Sequence, residues 1–336
     1  MTVSSDLRLH GDALAAPGLL DFAVNVWPGP RPAGLTRALE RALSDPRYPD
    51  DAAAREAVAV RHGRASDEAL LLNGACEAFW LLAQTLRPRH AVCVHPSFTE
   101  PEAALRAVGC EVNRVFLRGD DWRLDPDDVP DDAELVVVGN PNNPTGRLEP
   151  AGTLRRLLRP GRLLVVDESF MDFVPGERES LATTLPPGLV VVRSLTKLWS
   201  LAGVRAGYLF AEPELVRTLA AGRQPWSVNA LACAALAWCL ADRQTPAAVA
   251  TAVAAARAEL LADLSALGLE VWPSAANFLL LEVAGGEEVA RQLRRRGIAV
   301  RPAASFPGLG PDHLRVAVRR PEENALLIAA LEEALR

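Results

Sequence analysis

The chain carries one lysine, Lys197, although lysine and arginine together account for 36 of its 336 residues. Codon usage explains an excess of arginine, but not the retention of a single lysine. A guanidinium keeps its proton in a protein, whereas a buried ammonium can become a neutral amine nucleophile. Lys197 ends the segment RSLTK, just after an apolar run. Lys197 is therefore a candidate to form a Schiff base with a carbonyl cofactor or substrate. The alternative is that it is a surface lysine beside a structural arginine.

Two more polar segments follow apolar runs. Asp167, in VVDES, could bind a metal, act as a base or hold the protonated nitrogen of a pyridine ring. Its alternatives are a helix cap and a salt bridge. The segment NPNNPTG, residues 140–146, has two Asn-Pro steps that make a rigid turn and fix an asparagine side chain, although a turn alone identifies no function.

Small residues precede a predicted helix in LLNGACEAFWLL. Gly74 and Ala75 leave backbone N–H groups at the helix start open to a phosphate group, and the helix dipole adds to the attraction. The segment matches neither G-x-x-x-x-G-K-[ST] nor G-x-G-x-x-G, so nucleoside triphosphates and dinucleotides are not indicated.

Alternating strands and helices position these groups. Between residues 70 and 210, seven short apolar runs alternate with helix-like segments, which predicts an α/β fold with a mainly parallel seven-stranded sheet. Ligands of such sheets bind beyond the carboxyl ends of the strands. Polar or small residues occupy four of these ends: Asn73, His95, Asn140 and Asp167.

The pattern changes after residue 225. Alanine-rich helices are predicted over residues 227–240 and 246–267, followed by the strand-like runs FLLLEV, IAVRP and LRVAVR. We therefore expect an N-terminal arm (1–25) packing on the small domain, a large domain (26–242) and a smaller α+β domain (243–336).

Composition restricts the partners. A formal charge of −6 supplies no broad basic surface for nucleic acid or an anionic membrane. Five cysteines without a C-x-x-C pair suggest a reduced, cytoplasmic protein without a metal site. The first residues lack a signal-peptide pattern, and no apolar run is long enough to span a bilayer.

Taken together, these motifs resemble the fold-type I pyridoxal-phosphate enzymes of the class I/II aminotransferase family over nearly the whole chain. The resemblance implies pyridoxal 5′-phosphate as cofactor. Lys197 would form a Schiff base with it, and Asp167 would pair with its ring nitrogen. Asn143 would hydrogen-bond the ring hydroxyl, and Phe98 would stack on the ring. The resemblance implies these groups at the cofactor phosphate: Gly74, the amides of Ala75 and Cys76, Ser194 and Arg205. Tyr48 would reach the cofactor phosphate of the partner subunit in a homodimer, and Arg315 would bind the substrate carboxylate.

Finer similarities, notably PWSVNALA, RSLTK and FPGLG…LRVAVR, are to the L-threonine O-3-phosphate decarboxylases of cobalamin biosynthesis, relatives of histidinol-phosphate aminotransferases. They imply decarboxylation of L-threonine O-3-phosphate to (R)-1-amino-2-propanol O-2-phosphate. The substrate phosphate would bind His10, Gly11 and Asn25, with Arg315 or Arg319. Phe170 lies where many aminotransferases have tyrosine, whereas Asp12 departs from the H-G-G of such decarboxylases.

Two other functions remain as alternatives. An aminotransferase acting on histidinol phosphate or a related amino acid would need 2-oxoglutarate or glutamate as co-substrate. A non-catalytic binding protein would hold the cofactor without turning over an amino acid, but each motif expected of a catalytic site is present.

Overall fold

The computed structural model describes residues 5–336. Its α-helices, in chain order, are α1 (Ala33–Ser44), α2 (Ala52–His62), α3 (Cys76–Leu86), α4 (Glu100–Ala107), α5 (Ala151–Arg155), α6 (Pro213–Ala221), α7 (Ala230–Ala241), α8 (Gln244–Ala266), α9 (Gly286–Arg295) and α10 (Pro321–Ala334). Its β-strands are β1 (Leu20–Asp21), β2 (Ala69–Asn73), β3 (His90–His95), β4 (Glu111–Phe116), β5 (Leu135–Gly139), β6 (Leu163–Asp167), β7 (Leu189–Ser194), β8 (Ala206–Phe210), β9 (Glu270–Val271), β10 (Phe278–Glu282), β11 (Ile298–Ala299), β12 (Arg301–Pro302) and β13 (His313–Ala317).

The largest sheet has the strand order β2-β8-β7-β6-β5-β3-β4. Its strands pair in parallel from β4 through β7, and only β8 runs antiparallel to its neighbours, β2 and β7. Successive side chains enter different buried clusters, with Val136 and Val138 on one face and Val137 on the other. Because both faces are covered there, the central strands β5 and β6 read as continuous apolar runs, whereas the edge strand β4 exposes Glu111, Asn113 and Arg114. The predicted seven-stranded, mainly parallel sheet is confirmed.

Two long helices follow this sheet, as predicted. Asn229 caps α7 by accepting a hydrogen bond from the Ala232 N–H at 2.9 Å, and Gly268, with φ +78°, follows the end of α8. Both residues suit these ends, since asparagine is a favoured N-cap and glycine tolerates positive φ.

A second sheet, of order β12-β13-β10-β9, is antiparallel throughout. The predicted single run IAVRP divides between two sheets, because β11 pairs with β1 whereas β12 pairs with β13. Val300 alone separates the two short strands. The predicted smaller α+β unit is present in this part of the chain.

The N-terminal segment contacts both sheet regions. It pairs with β11 through β1, and the Leu7 carbonyl accepts a hydrogen bond from the Thr99 hydroxyl, next to α4, at 2.7 Å. The boundaries at 25/26 and 242/243 stay predictions.

Within residues 5–336, no helix is both long and apolar enough to cross a membrane. The same residues contain no cluster of three or more histidine, cysteine, aspartate or glutamate side chains suited to a metal ion.

Candidate active site

Strand register brings the candidate residues to one edge of the large sheet. Asp167, at the carboxyl end of β6, lies level with Gly139 of β5 and Val192 of β7. The 140–146 turn and the RSLTK segment therefore leave the sheet beside Asp167. Because β8 is antiparallel, its first residues lie at this same edge, with Ala206 opposite Asn73.

A cavity of about 590 Å³ opens at this edge. Most of the predicted site residues line it: His10, Gly11, Asn25, Ala75, Cys76, Phe98, Asn143, Asp167, Ser194, Lys197, Arg205 and Arg315. Gly74 lies directly behind this wall. Residues from segments up to 305 positions apart thus line one cavity, and their roles stay predictions.

Lys197 has the chemistry of an amine nucleophile. Burial, together with the positive charges of Arg315 and Arg205, lowers the pKa of its ammonium group to about 8. Its Nζ lies 5.7 Å from the centre of the Phe170 ring. A lowered pKa leaves an appreciable fraction of neutral amine at physiological pH, as Schiff-base formation requires.

Asp167 is a half-buried carboxylate that lacks a cationic protein partner at hydrogen-bond distance among the described residues. Burial raises its pKa, and the Ser169 N–H, donating to Oδ1 at 3.0 Å, opposes this only in part. A protonated pyridine nitrogen would supply the missing positive charge. The donor set at Asp167 and Lys197 thus fits the cofactor implied by the resemblance.

The β2–α3 turn brings two free backbone N–H groups close to an arginine. At the start of α3, the N–H groups of Ala75 and Cys76 donate to no acceptor within the described part of the chain. A Cβ atom at Gly74 would come within 2.5 Å of Arg205 Nη2, and one at Gly207 within 2.5 Å of the Ala75 nitrogen. These close approaches position the arginine and the two amides together around one anion site.

Replacing Gly74 with alanine should raise the dissociation constant of the cofactor about tenfold or more, because the new methyl group displaces Arg205 and φ is +85°. Titration of the apoprotein, followed by cofactor absorbance, measures this. Gly63→Ala is the matched control: φ there is +65° but nothing lies within 4 Å of the added Cβ. A Gly74→Ala protein that binds as tightly as the control would contradict the assignment.

Arg315 forms the opposite wall of the cavity. Its Nη1 donates to Asn143 Oδ1 at 2.5 Å and its Nη2 to the Ala23 carbonyl at 2.6 Å, while Nε has no partner among the described residues. Burial, and then the charge of Arg301, lowers the pKa of Arg315. Asn143 is thereby held at the cavity wall by the arginine.

Arg301 is a cavity residue that the sequence analysis missed. It lies directly opposite Arg315 in the β12–β13 pair, is 2% exposed and donates to the Leu9 carbonyl and the Ser305 hydroxyl. The position of this arginine inside the apolar run IAVRP could have indicated a functional role, because burying a charge without a partner is costly. Like charges placed opposite each other destabilise a sheet, and the acceptors of both arginines in the described chain are neutral groups. An anionic ligand would relieve this repulsion.

Besides Gly74, two predicted residues of the described chain do not line this cavity, Arg319 and Tyr48. Arg319 is two residues beyond β13, and its guanidinium donates to the Asp21 carbonyl and to Glu323 Oε1. Because β13 ends at Ala317, Arg319 is not part of the strand pairing. Arg301, which pairs with Arg315, lines the cavity instead. Tyr48 is 74% exposed and its ring stacks on Trp226 at 4.4 Å.

The remaining predicted residues have defined surroundings. Phe98 packs at the cavity wall, with its ring centre 5.4 Å from that of His10. Asn25 is buried and its Oδ1 has no partner among the described residues. Burial raises the pKa of the Cys76 thiol to about 12, so this thiol stays protonated and inert near neutral pH.

Comparisons with known proteins agree with this geometry. Residues 21–331 match the family described as aminotransferase class I and II. A histidinol-phosphate aminotransferase of Mycobacterium bovis is 48% identical over 98% of this chain and 91% of its own length. The threonine-phosphate decarboxylase of Salmonella typhimurium is 34% identical over 94% of this chain and 91% of its own length.

A solved structure gives the same fold. The histidinol-phosphate aminotransferase of Clostridium acetobutylicum superposes with a TM-score of 0.88 at 25% identity, covering 94% of this chain and 99% of that one. The Mycobacterium bovis aminotransferase, at 48% identity, is more similar in sequence to this chain than the decarboxylase, at 34%. This reverses the order of preference that the short sequence segments suggested.

Proposed function

The chain belongs to the family of class I and II aminotransferases, which use pyridoxal 5′-phosphate, and from this premise we propose that it transfers the amino group of histidinol phosphate, or of a closely related phosphorylated amine, to 2-oxoglutarate. The observation that carries the proposal is the 48% identity, over 98% of the chain, to relatives named histidinol-phosphate aminotransferases.

The buried arginine pair supports substrates of this kind. Histidinol phosphate carries a phosphate and glutamate carries two carboxylates, so each amino donor brings an anion to the cavity. Arg301 and Arg315 face each other across β12 and β13 without an acidic partner at hydrogen-bond distance in the described chain. Bidentate binding of an anion would satisfy their remaining donors.

Each catalytic residue then has a task set by its surroundings. When bound, pyridoxal 5′-phosphate withdraws electrons from the carbon that carries the amino group. Lys197, in its neutral form, moves a proton at that carbon. Asp167 holds positive charge at the ring nitrogen, and Asn143 orients the ring hydroxyl. The amides of α3 and Arg205 hold the phosphate.

We also propose a homodimer. Tyr48 and Trp226 expose a stacked aromatic pair, 74% and 61% exposed, on the surface of a single chain. Large exposed aromatic side chains are typical of protein interfaces. In the dimer Tyr48 would reach the cofactor phosphate of the partner subunit.

Threonine-phosphate decarboxylation is the second candidate. Phe170 supports it, because this side chain cannot give the cofactor ring the hydroxyl contact that a tyrosine would. The Salmonella typhimurium relative, at 34% identity, supports it too. The same two arginines could bind the carboxylate and the phosphate of L-threonine O-3-phosphate.

Product analysis by mass spectrometry separates the two functions. The holoenzyme is incubated with histidinol phosphate and 2-oxoglutarate, and separately with L-threonine O-3-phosphate without a keto acid. We expect glutamate to accumulate over many turnovers in the first incubation and the substrate to persist in the second. Aminopropanol phosphate accumulating in the second incubation would instead establish the decarboxylase.

A further inference from the structure

Within the N-terminal arm, residues 8–12 line the candidate active-site cavity. Three hydrogen bonds of 2.7 Å hold the arm against the start of α4 and against β12: Thr99 Oγ1 donates to the Leu7 carbonyl, Arg301 Nη2 donates to the Leu9 carbonyl, and His10 Nε2 bonds Glu100 Oε1. The bond between His10 and Glu100 joins two side chains, so it fixes the orientation of the His10 ring.

Glu100, the first residue of α4, is only 5% exposed. Its second oxygen, Oε2, accepts a hydrogen bond from Trp80 Nε1 at 2.9 Å, and Arg8 Nε lies 3.3 Å from Oε1. Burial by itself raises the pKa of Glu100, but the hydrogen bonds from His10 and Trp80, together with Arg8, outweigh it and leave the pKa below its usual value. Glu100 is an ionised carboxylate whose oxygens are already occupied.

The imidazole of His10 is held in one orientation. Nε2 is bonded to Glu100, and the ring lies against Phe98, with an interplanar angle of 39°. The arm continues directly to Arg315, since a Cβ atom at Gly11 would lie 3.5 Å from Arg315 Nη2. Nδ1 is therefore the ring nitrogen left to a ligand, and the next residue of the arm lies beside Arg315.

We propose that Glu100 is a positioning residue for substrate recognition: it holds His10 so that Nδ1 donates to the phosphate of the amino donor, opposite Arg301 and Arg315. An imidazolium donates from both nitrogens, so it can bridge a protein carboxylate and a substrate phosphate. The inference rests on the proposed function, because it requires a phosphorylated substrate. Glu100 lines the cavity, but in this role it acts through His10.

The two half-reactions of an aminotransferase test this role. With purified holoenzyme, cofactor absorbance after mixing with histidinol phosphate reports one half-reaction, and mixing with glutamate reports the other. In Glu100→Gln we expect the KM for histidinol phosphate, and the inhibition constant of inorganic phosphate competing with it, to rise about 10- to 100-fold. The glutamate half-reaction should change less than twofold. An equal loss in both half-reactions, or in neither, would overturn the proposal.

His10→Gln separates positioning from simple tethering. Glutamine can keep the bond from the arm to Glu100 but has no counterpart of Nδ1. We expect the same selective loss as in Glu100→Gln, and a double variant no worse than either single one. If His10→Gln behaves as wild type, the contact merely tethers the arm. The His10→Gln variant also tests the proposal on its own if Glu100→Gln fails to fold.

Glu102→Gln is the matched control. Glu102 lies two residues further along α4, is fully buried and bonds His95 Nε2 at 2.9 Å, but it does not line the cavity. The same chemical change there should lower the melting temperature without altering the ratio of the two half-reactions. A shifted ratio in this control would show that any loss of a buried carboxylate on α4 has the effect.

Failure of the proposed function gives a different result. If wild type does not react with histidinol phosphate, the imidazole signals of the chain's five histidines still report binding of inorganic phosphate to the holoenzyme by NMR. The His10 signal, identified by its absence in His10→Gln, should move with phosphate in wild type. It should move at much higher phosphate concentration in Glu100→Gln. An unmoved His10 signal would refute the positioning role.

Discussion

Replacing Lys197 with arginine is expected to abolish the visible absorbance of the bound cofactor and to lower turnover at least about 10⁴-fold. Arginine keeps the positive charge but cannot supply a neutral amine. Because Lys197 is the only lysine in the chain, borohydride reduction of the wild-type holoenzyme should attach the cofactor to this one side chain, as peptide mass spectrometry would show. A Lys197→Arg protein with wild-type absorbance would overturn the role.

The control keeps the lysine count at one. Arg159 is a half-exposed residue paired with Asp131, and its replacement by lysine in the Lys197→Arg background places the single lysine on the surface. This double variant should neither regain the absorbance nor be labelled on reduction.

The pKa of Lys197 adds a pH dependence. Burial and two nearby arginines lower it from 10.5 to about 8, and the neutral amine is the reactive form. The rate at which apoprotein gains cofactor absorbance should therefore rise with pH and level off above about pH 8. A rate still rising steeply toward pH 10.5 would mean an amine of ordinary pKa.

Replacing Asp167 with asparagine is expected to reduce turnover at least about 100-fold while some cofactor binding persists. The amide keeps the size of the carboxylate but cannot stabilise positive charge on the ring nitrogen, so the cofactor loses much of its ability to withdraw electrons. Single-turnover absorbance measurements separate binding from the chemical step. Near-normal rates would refute the role of Asp167 as the charge partner.

Glu168→Gln is the neighbouring control. Glu168 follows Asp167 directly but belongs to a different buried network, with Arg193 3.1 Å away and Ser180 donating at 2.7 Å. Loss of its charge should lower the melting temperature, because Arg193 is then left with fewer buried partners. The cofactor spectrum should change little. A spectral change as large as that of Asp167→Asn would mean that general disruption of the sheet edge explains both variants.

Most of the large sheet and much of the site could be predicted from the sequence alone. Apolar runs determine the central strands β5 and β6, because a strand buried on both faces excludes polar residues along most of its length. Asp167, Asn143 and Lys197 follow such runs directly, so their position at the sheet edge is a local consequence of where each strand ends. The family and the cofactor, together with the candidate lysine, are thus contained in short segments.

Only the tertiary structure decided which distant residues meet. Arg301 became a cavity residue because antiparallel pairing puts it opposite Arg315, whereas Arg319, closer in sequence, falls beyond the end of β13 and bonds Glu323. Glu100 reaches His10 across 90 positions. Such contacts depend on strand register, strand ends and the path of the N-terminal arm. These are set by the packing of the whole chain, so no local pattern of residues encodes them.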